Sequence, residues 1–98
     1  MKRTKNQQIT HDKKVRQIAN QLTKSGWKVK ADVTGFKDPT PIGKKNRIPD
    51  IEAQKKGRRK IIEVETASSL LKDSDQQSTF RRHAAQKSNT TFNIEVTK

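Results

Sequence analysis

The stretch that decides the fold is IPDIEAQKKGRRKIIEVE, residues 48–65. It predicts two short strands, residues 48–54 and 59–65, around a tight turn. Lys56-Gly57 suits a two-residue hairpin turn, because such turns need positive φ angles and glycine adopts them without steric cost.

The turn also sets the register of the predicted hairpin. If Lys55 faces Arg58, then Asp50 lies directly opposite Glu63, with Cβ atoms about 5 Å apart. Side chains alternate between the two faces of a strand. One face therefore carries the apolar set Ile51, Ala53, Ile62 and Val64, and the other carries the acids Asp50, Glu52, Glu63 and Glu65.

Carboxylates this close repel one another unless something compensates their charge. Neighbouring Lys and Arg side chains could do so, as in an ordinary lattice of surface salt bridges. A hard divalent cation is the alternative. Mg²⁺ keeps several waters and takes one or two protein carboxylates, so Asp50 and Glu63 alone would suit it. Both interpretations are open at this point.

Two helices are predicted outside the hairpin. The first covers residues 12–25, where apolar side chains at helical spacing form one stripe. The stripe consists of Val15, Ile18, Ala19 and Leu22, and His11 extends it by one turn. The second helix runs from about residue 74 to residue 87, with Phe80, Ala84 and Ala85 as its predicted buried contacts.

Two further strands complete the predicted sheet. Strict alternation indicates one strand over residues 27–33, which includes Trp27 as a core residue, and another over residues 92–96. Residues 34–47 are rich in Gly and Pro and predict a long loop, whereas residues 66–72 fit neither pattern. The order helix, three strands, helix, strand predicts an α/β fold with a mixed central sheet and flanking helices.

Composition predicts one small domain. The chain has 98 residues, of which 28% are hydrophobic against a usual share of roughly 45%. We expect a flexible basic arm over residues 1–7 and a single domain over residues 8–98. The absence of cysteine excludes disulfides and thiolate metal sites. Neither a signal peptide nor a membrane span is recognisable, which predicts a cytoplasmic protein.

The charge predicts a polyanionic partner. Lys and Arg number 23 and Asp and Glu number 10, a formal charge of +13. Such an excess favours nucleic acid through counterion release, ahead of an anionic membrane surface. With one Trp, three Phe and no Tyr, base stacking is a weak prospect. The predicted contacts to nucleic acid are Lys44, Lys45, Arg47, Lys55, Lys56, Arg58, Arg59, Arg81 and Arg82.

The acidic hairpin resembles a known nuclease family. The segments Ile48-Pro49-Asp50-Ile51 and Ile61-Ile62-Glu63-Val64-Glu65 are similar to the PD-(D/E)xK nuclease superfamily, which includes restriction enzymes, Holliday-junction resolvases and helicase-linked nucleases. The resemblance covers roughly residues 8–97 and implies a restriction-endonuclease-like core. Gln76-Gln77-Ser78-Thr79-Phe80 resembles the Gln-x-x-x-Tyr signature of the helicase-linked branch, with Phe80 in place of Tyr.

The resemblance implies a metal-dependent DNA endonuclease or junction-cleaving nuclease. Asp50, Glu63 and the Val64 carbonyl would bind Mg²⁺ or Mn²⁺, which would polarise the scissile phosphate and help to generate hydroxide. Glu65 would act as general base or second metal ligand, and Gln76 would orient the site or contact a phosphate. The family usually carries Lys at the position of Glu65, although some restriction enzymes carry Glu there.

Three functions compete at this stage. The first is the nuclease. The second is a non-catalytic nucleic-acid-binding protein with a nuclease-like fold, which Glu65 in place of Lys favours. The third is a small ribosome-associated or chromatin-like basic protein whose acids are salt-bridge partners. Small members of the superfamily often pair, and the thin core is compatible with a homodimer.

Overall fold

The computed structural model describes residues 4–97, apart from the side chains of residues 67, 68 and 71. Its elements are α1 (Lys5–Lys24), β1 (Lys28–Ala31), β2 (Ile51–Lys55), β3 (Arg58–Thr66), α2 (Ala67–Lys72), α3 (Ser74–Ala85) and β4 (Thr90–Thr97). The strands form one sheet in the order β1-β2-β3-β4, in which β3 and β4 are parallel and the other neighbours are antiparallel. The predicted small α/β domain with a mixed sheet is confirmed.

The β2–β3 hairpin has the predicted register. Lys55 pairs with Arg58, and the ladder continues to the pair Ile51 and Ile62. Lys56 and Gly57 form the turn with φ angles of 50° and 79°. Two successive positive φ angles match the right-handed twist of the strands that the turn connects.

Helix α1 begins earlier than its apolar stripe indicates. A capping box starts it, in which the Thr4 hydroxyl accepts from the Gln7 backbone amide at 3.1 Å and the Gln7 side-chain Oε1 accepts from the Thr4 backbone amide at 2.9 Å. Residues 5–7 of the expected arm therefore belong to the helix, and residues 1–3 lie outside the described residues. The helix adds a mostly polar and exposed first section that a search for apolar spacing does not detect.

Strand β1 is shorter than predicted because its partner limits it. Its last residue, Ala31, pairs with Ile51, the first residue of β2. One backbone hydrogen bond of 2.9 Å, from the Asp32 amide to the Asp50 carbonyl, follows this pair. Residues 66–72, which fitted no pattern, contain α2, and its N-cap Thr66 accepts from the Ser69 amide at 3.1 Å.

The sheet lies between two helical layers. On one face, α1 buries a cluster formed by Val15, Ala19, Ala31, Ile51, Ile62 and Val64. On the other face, α3 packs Phe80 against Ile61 and Ile42. Neighbouring residues of a strand point to opposite faces, which is why Ile61 and Ile62 lie in different clusters. Ala85 is exposed, so its predicted burial was wrong, and Trp27 is half-buried.

The second helical layer changes the setting of the acids. Because α2 and α3 cover the face that carries them, Glu52, Glu63 and Glu65 are 3%, 2% and 1% exposed. The expectation of a surface lattice of salt bridges therefore does not apply to these side chains. Within residues 4–97, no helix combines the length and the apolar character needed to cross a bilayer.

Candidate functional site

Asp50 and Glu63 meet at the end of the sheet, in the arrangement that the hairpin register predicts. Asp50 immediately precedes β2, and its Oδ2 accepts a hydrogen bond of 2.8 Å from the Val64 amide of β3. Its carboxyl group also shares a hydrogen bond with that of Glu63. The site is sheltered, since only 13% of the Asp50 side chain is exposed.

The two carboxyl groups differ sharply in proton affinity. Burial and the adjacent Asp50 raise the pKa of Glu63 to about 10. Burial also acts to raise the pKa of Asp50, but hydrogen bonds from His11, Glu63 and the Val64 amide outweigh it and hold that pKa below its ordinary value. At neutral pH the pair therefore shares one proton, with the negative charge on Asp50.

His11 is a member of the site that sequence reasoning did not assign. Its Nε2 lies 3.2 Å from Asp50 Oδ2, and its Nδ1 lies 3.1 Å from Asp12 Oδ1, which also accepts from Gln8 at 2.7 Å. The ring is 4% exposed. Its place one turn before Val15 on the apolar stripe indicated an inward-facing side chain without showing its partner.

Gln76 of α3 reaches the carboxyl pair. Its Nε2 donates to Glu63 Oε1 at 2.9 Å. The bond helps to fix the Glu63 carboxyl group. The residue singled out by the Gln-x-x-x-Tyr resemblance thus lies in contact with the second acid.

Glu65 lies two residues further along β3 and forms a second carboxyl pair. It accepts a hydrogen bond of 2.5 Å from the Ser69 hydroxyl and shares another with Asp73. Burial raises the pKa of Glu65 to about 7; the Ser69 hydroxyl opposes the rise and Asp73 adds to it. Sequence reasoning missed both partners: Ser69 lies in residues 66–72, which showed no periodicity, and Asp73 was placed only at the start of the second helix.

Glu52 does not join this group, although it shares their face. Its carboxylate accepts from Arg59 at 2.6 and 2.7 Å and from the Thr40 amide at 3.0 Å. Burial acts to raise the pKa of Glu52, but the Thr40 and Arg59 contacts outweigh it and lower that pKa. Arg59 also donates to His83 at 2.7 Å, so both residues take part in internal contacts.

The other predicted nucleic-acid contacts lie on two surfaces and one helix face. At the hairpin tip, Lys56 and Arg58 are exposed, while Lys55 donates to the Ser25 carbonyl at 2.6 Å. A groove beside α3 is lined by Lys44, Lys45, Arg47 and Arg82. Arg81 lies over the Phe92 ring at 5.7 Å.

The resemblance leaves open whether a cation from elsewhere replaces the Lys that its members usually carry at the position of Glu65. Two candidates for that role, Lys60 and Arg81, are held elsewhere. Lys60 lies over the Trp27 ring, 4.9 Å from its centroid, on the α1 side of the sheet. Arg81 is held by its contact with Phe92. Neither therefore substitutes for a cation beside Glu65.

In the described part of the chain, no cluster of three or more His, Cys, Asp or Glu side chains is arranged to hold a metal ion. Comparisons with protein-family models, with curated proteins and with solved structures found no match for this chain.

Proposed function

We propose that this protein is a metal-dependent DNA nuclease, an endonuclease or junction-cleaving enzyme with a restriction-endonuclease-like core. The observation that carries the proposal is the sheltered pair of Asp50 and Glu63, which the Val64 amide, His11 and Gln76 hold in place. A buried pair of acids costs free energy, and carboxyl groups with such perturbed pKa values cluster at functional sites. A divalent cation that displaced the proton would neutralise both groups.

The donor set fits Mg²⁺ or Mn²⁺. These ions favour carboxylate and carbonyl oxygens and water, and Mg²⁺ needs only one or two protein carboxylates. Asp50 and Glu63 would hold the ion together with the Val64 carbonyl. When bound, the ion would supply a Lewis acid for the phosphate and lower the pKa of a water.

The surrounding residues position the two acids. His11 and the Val64 amide orient the Asp50 carboxylate, and Gln76 orients that of Glu63. Glu65, whose pKa is about 7, suits a general base at neutral pH. We assign it that role, in place of the Lys that is usual in the family.

One observation favours the second candidate, a non-catalytic DNA-binding protein. Lys60, the cation nearest in sequence to position 65, lies over the Trp27 ring and not beside the acids. If the acids are only a structural remnant, DNA binding would survive without metal binding or cleavage.

The decisive test combines metal binding with cleavage. Calorimetry with Mn²⁺ in buffers of different ionisation enthalpy should show binding that releases a proton, because the ion displaces the one shared by Asp50 and Glu63. Asp50→Asn should abolish this signal and reduce cleavage of supercoiled and branched DNA by at least about 100-fold, since a metal ion contributes several kcal/mol to such a transition state. Glu95→Gln, which removes an exposed acid on β4, is the control and should leave both unchanged.

Glu65 variants separate its two interpretations. If Glu65 is the base, Glu65→Gln and Glu65→Lys should both abolish cleavage and leave Mn²⁺ binding measurable. If Glu65 merely replaces a lost Lys, Glu65→Lys should raise activity. Parent protein that neither binds Mn²⁺ nor cuts any substrate would overturn the nuclease proposal in favour of the DNA-binding one.

A further inference from the structure

A short cationic loop, residues 42–47, projects from the long connection before β2. Ile42 and Arg47 close it with two backbone hydrogen bonds of 2.8 and 3.0 Å, and the Asn46 amide donates to the Gly43 carbonyl at 3.1 Å. Lys44 and Lys45 occupy the exposed tip. The cationic loop is thus a small closed hairpin rather than an open segment.

The cationic loop is fixed against α3. Gly43 approaches Thr79 so closely that a Cβ atom on Gly43 would lie 2.9 Å from Thr79 Cγ2, and its φ angle is +80°. Ile42 is buried against Phe80. Before the loop, the Thr40 amide is held by the Glu52 side chain. Together these contacts fix the position of the two tip lysines relative to the helix.

A groove of about 660 Å³ lies between the cationic loop and α3. Four cations line it: Lys44, Lys45, Arg47 and Arg82. Asp75 is the one acid among the lining residues of the described chain. A cationic channel of this kind attracts a phosphate backbone and releases its counterions.

None of the four aromatic side chains, all of which lie within residues 4–97, is exposed. Trp27 lies under Lys60, Phe36 packs against the α1 cluster, Phe80 is fully buried and Phe92 packs against Phe80. Proteins that hold single strands stack bases on exposed aromatic rings. This surface offers charge without a stacking platform.

We propose that the groove binds the sugar-phosphate backbone of double-stranded DNA without reading its sequence. This inference rests on the proposed function and specifies its substrate. A duplex presents phosphates and keeps its bases stacked inside, which matches what the groove provides. Arg47, which closes the cationic loop, precedes Asp50 by three residues in the chain.

The test measures DNA binding in EDTA, which keeps it independent of metal and cleavage. Fluorescence anisotropy with a labelled duplex should show that Lys44→Ala/Lys45→Ala weakens binding by about 10-fold and lowers the slope of log affinity against log salt by about 2, one unit for each lost phosphate contact. Lys13→Ala/Lys14→Ala removes the same charge from α1 and should have a smaller effect. If both double variants weaken duplex binding equally, the proposal that the groove binds DNA is wrong.

Two further arms test geometry and substrate. Gly43→Ala changes no charge, but it should displace the cationic loop and weaken duplex binding, and Thr79→Ser in the same chain should recover part of the loss. Circular dichroism confirms that each variant is folded. The duplex should bind at least as tightly as single strands of any sequence. Tighter, base-dependent binding of single strands would overturn the proposal.

The outcomes separate the two proposals. If duplex binding depends on Lys44 and Lys45 but the protein cleaves no substrate, the nuclease proposal is wrong and the groove proposal is supported. If the protein cleaves DNA with metal but its duplex affinity does not depend on Lys44 or Lys45, the groove proposal is wrong and the nuclease proposal is supported.

Discussion

At neutral pH the folded protein keeps Glu63 protonated, because burial and Asp50 raise its pKa from 4.5 to about 10. In the unfolded chain the same group ionises at its ordinary pKa. Its contribution to the free energy of unfolding is therefore fully present below about pH 4.5 and is lost as pH rises towards 10. The acidic pair thus weakens the fold in the pH range where a nuclease would work.

Glu63→Gln should stabilise the protein at neutral and alkaline pH. An amide cannot ionise, and it can still donate to Asp50 and accept from Gln76. We expect calorimetry at pH 8 to show a Tm higher by about 4–8 °C, which corresponds to about 1 kcal/mol in a domain of this size. The difference should vanish near pH 4, and Glu95→Gln should show no such pH dependence. A lower Tm at both pH values would contradict this account.

Sequence could predict Asp50 and Glu63 because two local regularities fix them, the turn at Gly57 and the alternation of the strands. The contact of His11 with the site could not be predicted from the sequence, for a physical reason. Its partner Asp50 lies 39 residues away, and the distance between them depends on how α1 docks on the sheet. Glu52 shows the converse: alternation gave its face correctly, but the nearby Arg59 decides its partner.

The hairpin is the element that sequence predicted best, and its turn carries residual strain. Lys56 has a φ angle of 50°, which a residue with a Cβ adopts at a cost, whereas Gly57 at 79° has no atom within 4 Å of a would-be Cβ. Element ends were predicted less well, because α1 is extended by a polar capping box and β1 is shortened by the length of its partner.

Opposite substitutions at the turn should move stability in opposite directions. Lys56→Asn creates the preferred Asn-Gly pair and should stabilise the protein by about 0.5 kcal/mol. Gly57→Ala places a Cβ at positive φ and should destabilise it by about 1 kcal/mol. Urea denaturation at moderate salt measures both and reduces the effect of the lost lysine charge. A stabilising Gly57→Ala would mean that the turn is not of this type.

Over the whole molecule, a formal charge of +13 is spread on 98 residues. Several acids gather at one end of the sheet. Burial raises the pKa of Asp32 there, and the negative charges of Asp50, Asp38 and Asp12 raise it further. The cations left over at the hairpin tip and in the groove repel one another. Composition predicts the net charge. It does not predict that acids and cations lie in different places, because that depends on which acids the fold buries and which cations it exposes.

Added salt should therefore stabilise the free protein. Screening weakens long-range repulsion between exposed cations, whereas the sheltered pair of Glu52 and Arg59 is screened much less. We expect Tm to rise by a few degrees when NaCl increases from about 50 mM to 500 mM, where the Debye length falls from above 10 Å to a few Å. Scans with sodium chloride and sodium sulfate separate screening from specific anion binding. A falling Tm would show that local ion pairs outweigh the net repulsion.

The combination of antiparallel and parallel strand pairs in the sheet also affects the order in which the chain folds. The β2–β3 hairpin closes a two-residue turn, a local event on the microsecond scale, whereas the parallel β3–β4 pairing must wait until the intervening chain, α2 and α3, has been ordered. We therefore expect the transition state for folding to contain the hairpin and to lack most of β4. Since Glu63, Val64 and Glu65 belong to the early hairpin and Gln76 to the later crossover, the acidic pair comes together before the helix that finally encloses it.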